Sequence, residues 1–113
     1  MIAYTEARDL SIRKWKWIVD NWDYTLSIDA NMDRLFKAIP ELKTLDHSCG
    51  WCEYYRGDLC YKCPSCALYK ISNGKACAIW YVDFFNAEKT KEERLENARK
   101  ILNACKDIPE VEN

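Results

Sequence analysis

Glycine and proline are scarce in this chain of 113 residues, with three of each, and histidine occurs once. The glycines, scattered at Gly50, Gly57 and Gly74, form no phosphate-cradling loop. No Gly/Ser/Pro-rich stretch, repeat or low-complexity tract offers a linker, so residues 1–113 are predicted to fold as a single domain with one modest core. No apolar run approaches the length needed to cross a bilayer, and no membrane association is expected. The formal charge of −1 gives no general pull toward phosphate backbones. The N-terminal stretch lacks the basic patch, apolar run and small-residue cleavage site of a secretory signal, and from this a cytoplasmic location is expected. Leu, Ile, Val and Phe are few, so the five Trp and seven Tyr must supply much of the burial.

Cysteine, by contrast, is plentiful and clustered. Six of the seven cysteines fall in residues 49–77 as Cys49-x-x-Cys52, Cys60-x-x-Cys63-x-x-Cys66 and, beyond a Ser72-Asn73-Gly74 turn, Cys77. A two-residue gap lets two thiolates on one tight turn grip the same ion, while the intervening amides face the sulfurs. A disulfide framework is the competing reading, and an odd cysteine count in a reducing compartment argues against it. The simplest ligand set is Cys49, Cys52, Cys60 and Cys63, two turns facing each other across residues 53–59, with Cys77 or Cys66 as alternates for one member. His47 stands too close to Cys49 to ligate without strain. Trp51, Tyr54, Tyr55, Tyr61 and Tyr69 interleave with the cysteines, either to shield the sulfurs or to form an aromatic surface.

Four thiolates suit Zn²⁺ in a closed tetrahedral site. The alternative cofactor is an iron–sulfur cluster, because Cys60, Cys63 and Cys66 imitate the start of a ferredoxin run with Cys77 as a remote fourth ligand. Pro64 follows the middle cysteine of that run, and no fourth cysteine stands at the ferredoxin spacing, so zinc is preferred. Catalytic zinc keeps an open position and a nearby acid or base, whereas this chain has one histidine and no His-x-Glu to accompany a Pro-Cys-x-x-Cys. Neither Cys-x-x-Cys follows a strand pattern, as a thioredoxin-like redox site would require. No enzyme activity and no small-molecule substrate are expected.

Around the cysteines the pattern is helical. A first helix is predicted over about 6–22, with Thr5 as its cap and Ala7, Ser11, Trp15, Ile18 and Trp22 as its core stripe, flanked by Ile12 and Val19. Leu10 and Trp17 lie off that stripe, so they either meet a second packed element or leave an apolar spot for a partner. The run Arg13-Lys-Trp-Lys-Trp17 could stack nucleic-acid bases, but Lys14 and Lys16 read better as the solvated face of an amphipathic helix. A second helix is predicted over 29–39, with Met32, Leu35, Phe36 and Ile39 on one face and Pro40 ending it. Residues 76–85 are too apolar for periodicity to decide, although Cys77, Trp80 and Phe84 align at helical spacing and suggest a short helix. The last helix, over 90–108, opens on the capping box Thr90-Lys-Glu-Glu93 and carries Leu95, Ala98, Ile101, Leu102, Cys105 and Ile108 on one face, with Cys105 a core residue. The expected fold is a mainly α small domain, three or four helices around an irregular metal-bound cysteine knuckle in residues 47–77.

A helix carrying Ser11-Ile-Arg-Lys-Trp15, then Cys49-x-x-Cys52, Cys60-x-x-Cys63-Pro64, Gly74-x-x-Cys77 and a terminal helix resembles small cysteine-rich proteins of uncharacterised function encoded by bacteriophages and prophages. The family pattern has five cysteines, matched here by Cys49, Cys52, Cys60, Cys63 and Cys77, so Cys66 is an addition. The resemblance implies a phage-type accessory protein of the host cytoplasm and carries no reaction with it. The expected function is a metal-stapled protein-interaction module that binds a host or phage protein, with Trp17 and Leu10 as the candidate partner residues. The alternatives are a nucleic-acid-binding regulatory accessory, with Arg56, Lys62, Lys70 and Lys75 on phosphate, and an iron–sulfur redox protein.

Overall fold

In the computed structural model, which describes residues 3–44 and 66–111, the first element is α1 (Tyr4–Asn21). It buries a wide arc, not a stripe: Ala7, Leu10, Ser11, Lys14, Trp15 and Ile18 are all covered, with Ile12, Trp17 and Val19 partly so at its margins. Two expectations are corrected here. Leu10, read as lying off the core stripe, is 2% exposed, and Lys14, read as solvated, is 3% exposed with its ammonium 5.4 Å from the centre of the Trp15 ring. At about 100° per residue Lys14 falls between Leu10 and Ile18, so a helix packed on more than one side must cover it. Lys16 is exposed and pairs with Asp20 at 2.7 Å, as a solvated face requires.

Thr5 does not cap α1. The N-cap is Ala3, whose side chain makes no capping bond, and Thr5 lies inside the helix. The first turn is held by tertiary bonds instead. The Tyr4 hydroxyl donates to the Pro109 carbonyl at 2.7 Å, and Arg8 donates from Nε to Ile108 O at 2.8 Å and from Nη2 to Lys106 O at 3.1 Å. These carbonyls lie at the C-terminal end of the last helix, α5 (Lys91–Asp107), where acceptors lack intrahelical partners and a cation meets the negative end of the helix dipole.

The second helix, α2 (Ile28–Ala38), starts on Ser27, whose Oγ accepts from Ala30 N at 3.1 Å, and ends before Pro40, close to the predicted bounds. Leu35 and Ile39 of its expected face are buried, and Met32 and Phe36 are partly so. The loop before it is pinned by Asn31, a fully buried amide. Its Nδ2 donates to Asp23 O at 2.8 Å and Ser27 O at 3.1 Å, while Oδ1 accepts from Asp23 N at 3.0 Å and Arg34 Nη1 at 2.9 Å. Asp23 in turn accepts from the Thr25 hydroxyl at 2.6 Å and its amide at 2.9 Å, and these bonds, the hydroxyl's first, hold its carboxyl below the ordinary range. A 3₁₀ turn, Pro40–Thr44, follows α2 and sends Leu42 fully into the core.

After residue 65 come α3 (Ala67–Ser72), a π-helical turn (Ala76–Trp80) that runs directly into α4 (Tyr81–Phe84), and α5. The predicted irregular segment reached Cys77, so α3 is an addition, built on a run of side chains compatible with a helix and anchored by buried Leu68. The short helix suggested over 76–85 exists, but its face is Ala76, Trp80 and Phe84, with Cys77 exposed. A π turn has more residues per revolution than an α turn and shifts the buried register by one residue.

The Thr90 hydroxyl caps α5, accepting from Glu93 N at 3.1 Å and donating to Glu93 Oε1 at 3.2 Å, so the carboxylate of the predicted box meets the hydroxyl. Ala98, Ile101, Leu102, Cys105 and Ile108 are buried as expected, and Leu95 is half-buried. One turn before Ala98, on the same face, lies buried Arg94, whose Nε donates to Phe84 O at 2.7 Å and whose guanidinium stands 5.0 Å from the Tyr24 ring centre and 5.6 Å from that of Phe84. Phe84, fully buried, meets Trp15, Trp22, Tyr24 and Phe85 edge-on at 4.9–6.4 Å between centroids, which joins α1 to α4. The architecture is mainly helical: five α-helices and no strand among the described residues, with α1 packed along α5. None of these helices is long and apolar enough to cross a membrane.

Candidate functional site

The four preferred metal ligands, Cys49, Cys52, Cys60 and Cys63, lie outside the described residues, as do His47, Trp51, Tyr54, Tyr55, Tyr61, Arg56 and Lys62. Both flanks of that segment are fixed in the core: Ile39 and Leu42 precede it, and Cys66, 7% exposed, follows it as the residue before α3. The two alternates diverge. Cys66 packs within the apolar cluster, whereas Cys77 is exposed on the π turn. Among the described residues no group of three or more His, Cys, Asp or Glu side chains could hold an ion.

Between Cys66 and Cys77 the backbone reverses on a compact polar clasp. Ser72, 5% exposed, donates through Oγ to Leu68 O at 2.7 Å and accepts from Ala76 N at 3.1 Å, so one hydroxyl closes α3 and satisfies an amide of the next turn. Asn73 and Gly74 take left-handed conformations at φ 56° and 81°, and Gly74 N donates to Tyr69 O at 2.8 Å in the manner of a helix-ending αL cap. A Cβ on Gly74 would stand 3.2 Å from the Tyr69 ring. Tyr69, one candidate for shielding the sulfurs, is itself exposed and lies against this turn. Lys70 and Lys75, two of the four candidate phosphate contacts, are exposed here.

The proposed partner pair of Leu10 and Trp17 does not form a surface. Leu10 is buried, and Trp17 is half-buried, with the Arg34 guanidinium 5.3 Å from its ring centre. They meet packed neighbours, the first of the two outcomes the sequence allowed.

Exposed apolar side chains gather elsewhere. Tyr69 and Ile71 on α3, Ile79 on the π turn, and Tyr81 and Val82 on α4 are 36–56% exposed. Beside Ile79 a groove of about 460 Å³ opens between the π turn with α4 and the first half of α5. Ile79, Trp80 and Asp83 line one side, and Glu92, Glu93, Glu96, Asn97 and Lys100 line the other. This groove was not legible in the sequence. The one available signal was the apolar run of residues 76–85, which exceeds what a single helix can bury. No protein-family model, no curated protein and no solved structure matches the chain.

Proposed function

We propose that this protein is a small, non-catalytic binding module of the phage type it resembles, acting in the cytoplasm, with a structural Zn²⁺ held by Cys49, Cys52, Cys60 and Cys63 and a protein as its partner. The observation that carries the reading is the apolar exposure concentrated on the two helices just after the cysteine segment. Ile79 and Val82 are 48% and 56% exposed in a chain that buries Leu10, Leu35, Leu42 and Ile101 to within 2% of full cover. Leu26, Ile28 and Val111 are exposed as well, but the five others fall within residues 69–82, and a cluster of that kind marks a surface that a partner covers. Anchoring the cysteine segment at both flanks gives bound zinc a direct purchase on the core, so metal binding and folding are linked.

The nucleic-acid alternative draws on exposed Lys70 and Lys75, but half of the residues lining the groove beside the apolar residues are carboxylates, which repel phosphate. Elemental analysis of anaerobically purified protein tests the metal part, with about one zinc per chain expected and a colourless solution. Cys52→Ser or Cys63→Ser should strip most of the metal, while Cys105→Ala, at a core position, keeps it. Equal losses from all three variants, or a brown preparation with iron, would sink the zinc assignment.

A further inference from the structure

Resting on the reading of this chain as a protein-binding module, we infer that the groove between the π turn with α4 and α5 seats an amphipathic helix of a partner protein, one with a row of aliphatic side chains flanked by Lys or Arg. One wall of the groove is apolar. Ile79 lines the groove at 48% exposure, half-buried Trp80 lies beside it, and Val82, three residues beyond Ile79 and so on the adjacent part of the helix surface, is 56% exposed. A channel between two neighbouring helices accepts a third helix by laying apolar anchors at i, i+3 and i+4 into it.

Charge selects the occupant. Asp83, Glu92, Glu93 and Glu96 line the groove with a single cation, Lys100, and all of these carboxylates but Glu93 make no ion pair among the described residues. Glu93, by contrast, is turned to the cap hydroxyl of Thr90 and to Lys89 at 3.9 Å. An acidic helix or a nucleic acid would bring like charge against this rim, and a second copy of this chain would bring the same acidic rim against itself. A basic amphipathic helix satisfies both walls.

The test uses the full-length protein and two labelled synthetic helices, one of Leu and Lys and one of Leu and Glu, with binding read by fluorescence anisotropy and mapped by amide chemical shifts. The Leu/Lys helix should bind, shift Ile79, Trp80, Val82 and Glu96, and weaken as salt rises. Glu92→Lys with Glu96→Lys should lower that affinity roughly tenfold or more. Ile79→Ser with Val82→Ser, at exposed positions that leave the fold intact by circular dichroism, should lower it comparably. Equal binding of the Leu/Glu helix, unchanged binding by the charge-reversed variant, shifts centred on Trp17, or self-association through the groove in sedimentation would each overturn the assignment. Failure here with zinc retained at Cys52 and Cys63 removes the groove and leaves the metal-stapled module; binding here by a chain that holds no zinc does the reverse.

Discussion

Along α5 the buried residues Ala98, Ile101, Cys105 and Ile108 follow one another at regular helical spacing, and α1 lies against them with Ala7, Leu10 and Ile18 fully or almost fully covered. Across residues 66–85 the same length of chain is broken into two short helices, a left-handed Asn73-Gly74 reversal and a π turn, and five large apolar side chains stay exposed. The first region is held by apolar area, at about 1.5–3 kcal/mol for each large aliphatic side chain covered. The second buries Leu68, Ala76 and Phe84 and adds directed bonds: the Ser72 hydroxyl, the Gly74 cap and the Arg94 bond to Phe84 O. Its outward apolar residues include one wall of the groove, and the first half of α5 supplies the other.

The two regions share Phe84, the one fully buried ring among the described residues. Phe84→Ala should cost about 3–5 kcal/mol, because it removes a large buried side chain and leaves a cavity between α1 and α4. Urea unfolding should show one cooperative transition at lower midpoint, and amide exchange should accelerate in α1 and α5 as well as in α4. Loss of protection confined to residues 66–85 would mean that the two regions fold separately. A narrower probe is Gly74→Ala. Its cost should be about 1–2 kcal/mol, since the left-handed φ of 81° disfavours any Cβ and the new atom presses on the Tyr69 ring. Exchange should quicken in α3 and the π turn while α1 and α5 keep their protection, which sharpens the contrast between clasp and packed pair.

The smallest effect is expected outside both regions, in the loop at Asp23. Its carboxyl is held below the ordinary value by the Thr25 hydroxyl and amide. The stabilisation is therefore present above the unfolded carboxyl value of about 3.9 and is lost as pH falls through the lower folded value. An NMR titration of Asp23 should show the depressed midpoint, and Thr25→Val should move it back up toward the ordinary range. An unchanged midpoint in that variant would assign the shift to Arg34 and Lys91 instead.

Helices α1, α2 and α5 were legible because their signals are local, whereas α3 was not. Thr90 with Glu93, the aliphatic spacing from Ala98 to Ile108, and Pro40 after Ile39 each act within a few residues, and all three recur in the structure. The cysteine pairs are local as well, and their spacing alone supports the zinc reading. Three buried polar residues were not legible. Lys14, Asn31 and Arg94 each sit at core-facing positions of helices, and a polar residue there reads as solvent-facing until its partner is known. For Asn31 that partner is the backbone of Asp23 and Ser27, and for Arg94 it is the carbonyl of Phe84.

Sequence by itself determined where the longer helices run and which of their aliphatic residues turn inward, since propensity, capping and periodicity are properties of neighbouring residues. Tertiary structure alone decided that Leu10 is core, that the π turn exposes Cys77 and buries Ala76, and that Ile79 and Val82 remain outside beside a carboxylate-lined groove. Burial depends on what the rest of the chain brings to a face. For α1 it brought α5 and α2, and for the outer face of α4 the described chain brought no cover.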